Sequence, residues 1–395
     1  MKKFIAMLLA LVMVLSLCAC GGSSKEEPKT GESQTGESQI ELEPAQSNVA
    51  ELPSGTTLYV MGPTPDHGWT AQAGAYADAK CAEITAAGQY KAVYMAASSG
   101  EEQVDQVNTI VANGDAVGVV MMALDDSAQA GQETLYVECI PFISFDRIIE
   151  ATEQYAVLNA SGDNWQCGAG IAYWLQLNGM KPGDTVVTLY GDKGTVCSRR
   201  LVGFEQFLRG EIKYNDAATG EDYETTEIWE QDALDAVFNT YSVVCNWSAD
   251  GAYAYMEQKL DEIVAAAKAN GNKLFIYSMD DEMTFGVLNY IEAGASEETK
   301  ADLEAMEVYI SAIGGMQELY DVMAGTDEQS ALADKYFDNM MSMYFSPKMM
   351  QDVIETMLTY LSGDWNHRQG DGEYQPTWIV NRENVNEYEG FKGHA

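Results

Sequence analysis

Short apolar runs alternate with longer amphipathic stretches over most of this chain. Leu58–Met61 predicts a strand, and Trp69–Ala87 predicts the helix that follows it. Further strands are predicted at 90–96, 117–122 and 141–145, with helices at 101–113 and 126–137 between them. Sustained strand–helix alternation predicts a parallel sheet with helices on both faces.

The same alternation begins again with a predicted helix at 163–178. Strands are predicted at 185–190, 243–245, 274–278 and 308–313, separated by helices at 195–209, 251–269, 281–293 and 315–323. Segments 340–344, 348–361 and 377–380 complete the pattern. A folded body of about 340 residues also exceeds the size at which one core keeps growing. We therefore predict an α/β protein with two doubly wound parallel-sheet lobes.

The N-terminal segment has the pattern of an export signal. Lys2 and Lys3 precede an apolar run, Phe4–Leu17, and Cys18-Ala19-Cys20 ends the segment. A positive start, a short apolar core and small residues at a cleavage point predict a signal peptide over residues 1–20, too short for a stable membrane span. The Leu-Cys-Ala-Cys end resembles a bacterial lipobox, which implies that Cys20 is lipidated and anchors the mature chain. The alternative is a plain secretory signal with incidental cysteines.

Residues 21–54 are dominated by Gly, Ser, Glu, Gln and Thr. Such a stretch buries too little apolar surface to offset the entropy lost on ordering, so it predicts a disordered tether. At this length a flexible chain spans about 30 Å, which would keep a folded body near the membrane.

Composition excludes several function classes. A net charge of −39 argues against nucleic acid, whose phosphates need a basic surface. The cysteines beyond residue 20 are scattered, odd in number and without CxxC spacing, so no disulfide framework or metal site is predicted. His67, His367 and His394 have no metal-ligand spacing, and no GxSxG elbow is present. We expect no enzyme activity, no cofactor and no bound metal.

The segment Ile140–Arg147 is the first candidate for a binding site. Its apolar residues predict a buried strand, which ends on Asp146 and Arg147. Ligands in parallel sheets bind just beyond the carboxyl ends of the strands, where an acid and a base can hold a small polar molecule. The alternative is a structural ion pair. Asp280 and Asp281 follow another predicted strand, and we expect Asp281 to cap the next helix and Asp280 to bind ligand.

From about Leu58 to Tyr388 the chain resembles the sugar-binding branch of the type 1 periplasmic-binding-protein superfamily. The blocks that carry the resemblance, in chain order, are Gln103–Gln106 with Val119–Asp125, Ile140–Arg147, Gly162–Asn164, Gly194–Arg200 with Gly203-Phe204, Ser278–Gly286 and Asn381–Val385. The family's two lobes, joined by a three-crossing hinge, imply crossings here near 160–162, 344–346 and 367–375. They imply a first lobe of 55–161 plus about 345–368, and a second lobe of 162–344 plus about 375–395.

The resemblance also implies a set of ligand-binding residues. Two of them are aromatic rings that stack on a sugar, and the others are polar groups for its hydroxyls. They are Asp66, His67, Trp69, Asp146, Arg147, Arg199, Trp247 and Asp280. For the two tryptophans the alternative is ordinary packing, for Asp66 it is a turn or cap, and for His67 it is a loop residue. The chain departs from the family at Ile313–Met316, at Phe345 and at Asp280, which leaves the sugar undefined.

The resemblance implies a function as well. A protein of this kind captures a sugar between its lobes and delivers it to an ABC permease with its ATPase. We therefore expect a monomeric lipoprotein on the extracytoplasmic face of a bacterial membrane, with no nucleic-acid partner. The alternative is a sensing protein that binds a sugar, polyol, nucleoside or autoinducer-like furanose and presents its bound state to a membrane receptor.

Overall fold

The computed structural model describes residues 55–64 and 68–393. The predicted signal peptide, its Cys20 and the predicted tether lie outside the described residues, as do Asp66 and His67. Among the described residues, no helix is long and apolar enough to cross a membrane. All described cysteines are free thiols; Cys139 is exposed and the others are buried.

The first sheet contains six parallel strands. Numbered along the chain, they are β1 (Thr57–Pro63), β2 (Lys91–Ala97), β3 (Ala116–Met121), β4 (Phe142–Phe145), β5 (Leu158–Gly162) and, much later, β13 (Gly372–Gln375). Their spatial order is β13-β5-β4-β3-β1-β2. In such an order the strand sequence reverses between β1 and β3, and loops that leave this point diverge to opposite faces of the sheet. The reversal opens a crevice beyond the strands' carboxyl ends.

Four helices cover this sheet: α1 (Gly68–Ala87), α2 (Gly100–Asn113), α3 (Gln129–Val137) and α12 (Met349–Ser362). Their ends follow from local chemistry, as α2 illustrates. The Ser99 side chain accepts a hydrogen bond from the Glu102 backbone N–H, and Gly114 ends the helix with a left-handed φ of 65°. Val107 and Ile110, one turn apart, are buried against the sheet, so α2 has a fixed apolar face.

The second sheet repeats the arrangement of the first. Its strands are β6 (Thr185–Tyr190), β9 (Tyr241–Val244), β10 (Lys273–Ser278), β11 (Glu307–Gly314), β12 (Asn339–Tyr344) and β14 (Ile379–Asn381), in the order β14-β12-β11-β10-β6-β9. All pairs are parallel except β14 with β12. The strand order reverses between β6 and β10, which places a second crevice at the carboxyl end of this sheet.

The helices of the second lobe are α4 (Asn164–Leu177), α5 (Thr195–Leu208), α6 (Gln231–Asn239), α7 (Ala249–Ala269), α8 (Asp281–Ala293), α9 (Glu297–Glu304), α10 (Gln317–Ala324) and α11 (Ser330–Tyr336). A small hairpin, β7 (Tyr214–Asp216) with β8 (Glu221–Tyr223), lies outside the main sheet. The predicted fold class, two doubly wound α/β lobes, is therefore confirmed. The repeated alternation in the sequence reflects two sheets built on one plan.

The chain passes between the two sheets three times, after Gly162, after Tyr344 and after Gln375. The third passage differs from the predicted position of 367–375. Residues 372–375 pair in parallel with β5 and so extend the first sheet before the chain leaves it. The sequence Gly-Glu-Tyr-Gln is short and polar for a strand. An edge position such as that of β13 tolerates this, because one side of the strand is exposed.

Candidate ligand-binding site

A cavity lies between the two lobes, and we call it the inner cavity. Each residue that lines it lies at or just beyond the carboxyl end of a strand, or in the first turns of the next helix, as expected for doubly wound sheets. The first lobe supplies Trp69, Thr70, Met122, Asp146 and Arg147; the second lobe and the hinge supply Val196, Arg200, Trp247, Asp280, Ile313, Gly314 and Phe345.

Asp146 directly follows β4 and turns its carboxylate into the inner cavity wall. Its backbone has a φ of 59°, a left-handed conformation that is uncommon for a non-glycine residue and often marks a functional site. The backbone N–H is fixed by the Ala160 carbonyl at 2.8 Å. Its side-chain Oδ1 is buried and accepts no hydrogen bond from the described residues. Burial raises the pKa of Asp146, although Arg147 and Arg200 act in the opposite direction. A hydroxyl group would satisfy this oxygen.

The arginine that reaches the inner cavity from the second lobe is Arg200, and Arg199 is not among the lining residues. The Arg200 guanidinium is buried and donates to Asn164 Oδ1 at 2.9 Å and to the Met279 carbonyl at 2.6 Å. Arg199 instead places its guanidinium 4.6 Å from the centre of the Trp165 ring. Consecutive residues on a helix project about 100° apart, so a one-residue change moves the side chain to another face. Arg199 therefore lies outside the wall of the inner cavity, and its ligand-binding role stays a prediction.

Trp247 borders the inner cavity, and three features of the second lobe fix its ring. Asn246 and Trp247 both adopt left-handed conformations, with φ of 55° and 57°. The ring lies so close to Gly191 that a Cβ there would be 2.1 Å from an indole carbon. The indole N–H donates to Asp192 Oδ2 at 2.9 Å. The guanidinium groups of Arg147 and Arg200 lie 5.9 and 5.6 Å from its ring centre, within cation–π distance.

Trp69 lies in the first turn of α1, opposite the second lobe, and is buried with 7% exposure. Its indole N–H donates to the Phe345 carbonyl at 2.7 Å, which ties the first lobe to the hinge. The ring stacks at 6.5 Å from Phe145 and tilts at 5.7 Å from Phe345. Trp69 therefore packs against two aromatic rings and also borders the inner cavity, so packing and ligand contact are compatible roles for it.

Asp280, and not Asp281, caps the helix that follows these two residues. Asp280 is the N-cap of α8 and accepts from the Glu282 backbone N–H at 2.9 Å, while it also lines the inner cavity. Asp281 accepts from the Met316 backbone N–H and from the Ser342 hydroxyl, both at 2.7 Å. The prediction that Asp281 caps the helix is wrong, because its carboxylate joins β12 and the segment just after β11 to α8.

Burial dominates the protonation of this acidic pair. Desolvation raises the pKa of Asp280 well above its usual range, and the neighbouring Asp281 and Glu282 add to the effect. Burial raises the pKa of Asp281 to about 6, although the hydrogen bonds from Met316 and Ser342 act in the opposite direction. A protonated Asp280 can donate a hydrogen bond as well as accept one.

Direct contacts join the two lobes around the inner cavity. The Gly68 backbone N–H donates to Glu282 Oε1 at 2.6 Å. Arg147 Nη2 of the first lobe lies 3.7 Å from Asp192 Oδ2 of the second, and the same arginine donates to the Leu124 carbonyl. These contacts exist only when the lobes are close together, so they hold the cavity partly closed.

The structure brings together Trp69, Asp146, Arg147, Trp247 and Asp280 as predicted candidates, while their ligand-binding role stays a prediction. Sequence reasoning did not single out Thr70, Met122, Val196 or Arg200. Periodicity would have indicated Arg200, because it shares a helical face with Val196 and Cys197, both buried. Among the described residues, no group of three or more His, Cys, Asp or Glu side chains is placed to hold a metal ion.

Residues 58–364 match the family model of the periplasmic binding protein domain. The chain therefore belongs to the periplasmic binding protein family, which confirms the resemblance seen in the sequence. Members of this family are solute-binding proteins, and the cavity between the lobes is where its ligands would be expected. No curated protein sequence matches the chain.

Several solved structures share the fold. The binding protein of an arabinose ABC transporter from Shewanella sp. ANA-3, bound to L-arabinofuranose, has a TM-score of 0.60 at 17% identity, over 84% of this chain and 94% of that one. A solute-binding protein from Bacillus halodurans C-125 with bound myo-inositol has a TM-score of 0.60 at 15% identity, over 85% and 98%. A carbohydrate-transporter binding protein from Chloroflexus aurantiacus, in complex with D-glucose, has a TM-score of 0.60 at 16% identity, over 84% and 94%.

Proposed function

We propose that this protein is an extracytoplasmic binding lipoprotein of an ABC importer, which captures a neutral sugar or polyol in the inner cavity. The observation that carries the proposal is the composition of that cavity. The rings of Trp69 and Trp247 border it from different lobes, and charged hydrogen-bonding groups lie between them. Pockets with mostly apolar walls and a few placed polar groups are typical small-molecule sites.

The chemistry of a cyclic sugar matches these walls. Its C–H faces are apolar and contact aromatic rings, and its hydroxyls form a polar edge. Asp146 and Asp280 can accept from hydroxyls, while Arg147 and Arg200 donate to them through bonds that are stronger because one partner is charged. Even with Asp280 protonated, the Asp146 carboxylate and the Asp192 carboxylate beside Arg147 offset the two guanidinium groups, which favours an uncharged ligand.

The size of the inner cavity supports a small ligand. Only twelve residues line it, and two tryptophan rings, two acids and two bases are among them. The relatives with bound arabinofuranose, myo-inositol and D-glucose are consistent with a sugar or polyol of this size.

Binding would be coupled to closure of the two lobes. Arg147 and Asp146 belong to one lobe and Arg200, Trp247 and Asp280 to the other, so a ligand that contacts both sets binds the closed form better than the open form. A ligand shifts a conformational equilibrium only by this difference in affinity. The closed pair of lobes would then be the form that the permease recognises.

A screen by thermal shift tests the ligand class. Binding to the native state raises the melting temperature by mass action, so a neutral sugar or polyol should raise it where nucleosides, amino acids and sugar phosphates do not. Stabilisation by one of those other classes alone would contradict the proposed ligand.

The membrane anchor is tested separately. Cys20→Ala should move the protein from the membrane fraction to the soluble fraction of bacterial cells, with a wild-type control processed in parallel. Retention of the variant in the membrane fraction would contradict lipidation at Cys20. Transport of the identified sugar should also be lost in cells without this protein and restored by the wild-type chain.

A further inference from the structure

A second and larger cavity lies beside the inner one, and we call it the outer cavity. Thr70, Arg147, Val196 and Trp247 line both cavities, so the two adjoin along a shared wall. Beyond this shared wall the outer cavity is bordered by polar residues of both lobes, among them Asp126, Asp192, Lys193 and Thr195.

The outer cavity persists although the lobes are already in contact. Arg147 and Asp192, 3.7 Å apart, join the lobes at its wall, and Gly68 contacts Glu282 across the same cleft at 2.6 Å. Closer approach of the lobes at this wall is therefore limited. Space that remains once both contacts have formed is available to a part of the ligand.

We propose, on the basis of the sugar-binding function above, that the ligand is a disaccharide or other glycoside, with one ring in the inner cavity and a second group in the outer cavity. The rings of Trp69 and Trp247 border the inner cavity from different lobes, an arrangement that suits one sugar ring. The Trp247 ring borders both cavities, so it can contact both halves of such a molecule. Hydroxyl-bearing groups suit the polar side chains further out.

The charged side chains of the outer cavity indicate which chemical class the second group of the ligand belongs to. The outer cavity has the acidic side chains Asp125, Asp126 and Asp192 against the basic side chains Arg147 and Lys193. The carboxylates outnumber the bases by one, and the chain as a whole has a charge of −39. A phosphate or uronate in this position would meet net repulsion, whereas a neutral ring would not. The second group is therefore a neutral sugar or a similar polyol.

Calorimetry with matched pairs of probes tests the inference: D-glucose against maltose and cellobiose, D-galactose against melibiose and lactose, and D-xylose against xylobiose. In at least one pair the disaccharide should bind about tenfold more tightly than its monosaccharide, or about 1.4 kcal/mol. A monosaccharide that binds at least as tightly as each of its disaccharides would overturn the inference and leave the proposed function intact. No binding by any of these sugars, nor by any other neutral sugar or polyol, would overturn the proposed function, and this inference with it.

Two variants then locate the second group. Thr195→Trp fills the outer cavity from the start of α5 and should reduce the affinity for the preferred disaccharide to the level of its monosaccharide, which should itself change by less than about threefold. Val202→Trp adds the same bulk on an exposed position of the same helix, outside both cavities, so it is the matched control and should bind both sugars like the wild type. Lys193→Trp fills the same space from the preceding loop and covers the case in which Thr195→Trp folds poorly. An undiminished preference for the disaccharide in a folded filled variant would overturn the placement.

Discussion

Arg147 of the first lobe lies 3.7 Å from Asp192 of the second, and the same carboxylate oxygen accepts the indole N–H of Trp247 at 2.9 Å. One side chain therefore fixes an aromatic wall of the cavity and also attracts the opposite lobe. Closure and the shape of the site are linked through Asp192, which sequence reasoning did not single out.

Asp192→Asn should weaken the closed state without displacing Trp247, because an amide oxygen can still accept the indole N–H. The ion pair is about a quarter exposed, so its loss should cost at most about 1 kcal/mol. We expect ligand to dissociate about three to five times faster, and the dependence of this rate on salt to diminish. Stopped-flow measurement of dissociation at two salt concentrations checks this.

Asp126→Asn is the matched control for that measurement. Asp126 is exposed and lines the outer cavity, so the variant makes the same change of charge in the same space. Equal effects of both variants would indicate a general charge effect and contradict a specific link between Arg147 and Asp192.

Gly191→Ala should lower the affinity for ligand by displacing the Trp247 ring. A Cβ at Gly191 would lie 2.1 Å from the indole, far inside van der Waals contact, so the ring has to move. We expect a loss of at least about tenfold in affinity, or about 1.4 kcal/mol, measured by calorimetry.

Gly131→Ala is the control, because it adds the same methyl group in a helix away from the site. The new Cβ would lie 3.3 Å from its nearest atom, so the variant should bind ligand normally. Unchanged affinity in a folded Gly191→Ala variant would show that the position of the Trp247 ring is unimportant for binding.

Arg200→Met and Arg199→Met separate two adjacent arginines. Arg200 is buried in the cavity wall and bonded to Asn164 and Met279, whereas Arg199 lies over Trp165. Loss of a buried charge partner costs several kcal/mol, so Arg200→Met should reduce affinity by about 100-fold or more and also lower the free energy of unfolding. Arg199→Met should change affinity by less than about threefold.

Calorimetry and denaturant unfolding on both variants provide the comparison. A larger loss of affinity in Arg199→Met than in Arg200→Met would restore the assignment made from the sequence.

The buried carboxyl of Asp281 should make the protein less stable as pH rises from 4 to 7. Its pKa is about 6 in the folded state, against 3.8 for an ordinary exposed aspartate, so the folded state binds the proton more tightly than the unfolded state. The stability that this group contributes is complete below pH 4 and is lost as pH rises through 6. At about 1.4 kcal/mol for each unit of pKa, the loss is about 3 kcal/mol.

Asp281→Asn is the reference for this measurement, because an asparagine at position 281 does not titrate. Between pH 4 and pH 7.5 the free energy of unfolding of the wild type should fall by about 2–3 kcal/mol relative to that of Asp281→Asn. Urea unfolding at each pH measures it. A difference that stays constant with pH would contradict the raised pKa.

The lobes were predictable because the alternation of strands and helices is strong and occurs twice. Strands such as β3 and β10 are buried almost throughout, so they appear as apolar runs. The third crossing was misplaced because β13 is a short polar edge strand, and its pairing with β5 depends on residues more than 200 positions earlier. A local pattern has no information about such a partner.

The site was predictable where residues follow a strand, as for Asp146, Arg147, Trp247 and Asp280. It was not predictable where helical phase decides, as for Arg199 and Arg200. Only one of two consecutive arginines can enter the cleft, and the orientation of α5 about its own axis decides which. Tertiary packing against Asn164 and the end of β10 sets that orientation. The error in the capping residue has the same cause, because the backbone N–H that Asp281 accepts from belongs to Met316, just after β11 and 35 positions along the chain.

Calorimetric titration of the wild type and of Trp247→Ala, with the sugar that raises the melting temperature most, tests the central claim that the sugar lies in the cavity between the lobes. Trp365→Ala, which removes a ring that packs against Tyr360 and His367 outside the cavity, is the control. We predict that Trp247→Ala lowers affinity by about 100-fold, or about 2.7 kcal/mol, while Trp365→Ala binds like the wild type. Equal affinity of the wild type and a folded Trp247→Ala variant would contradict the claim.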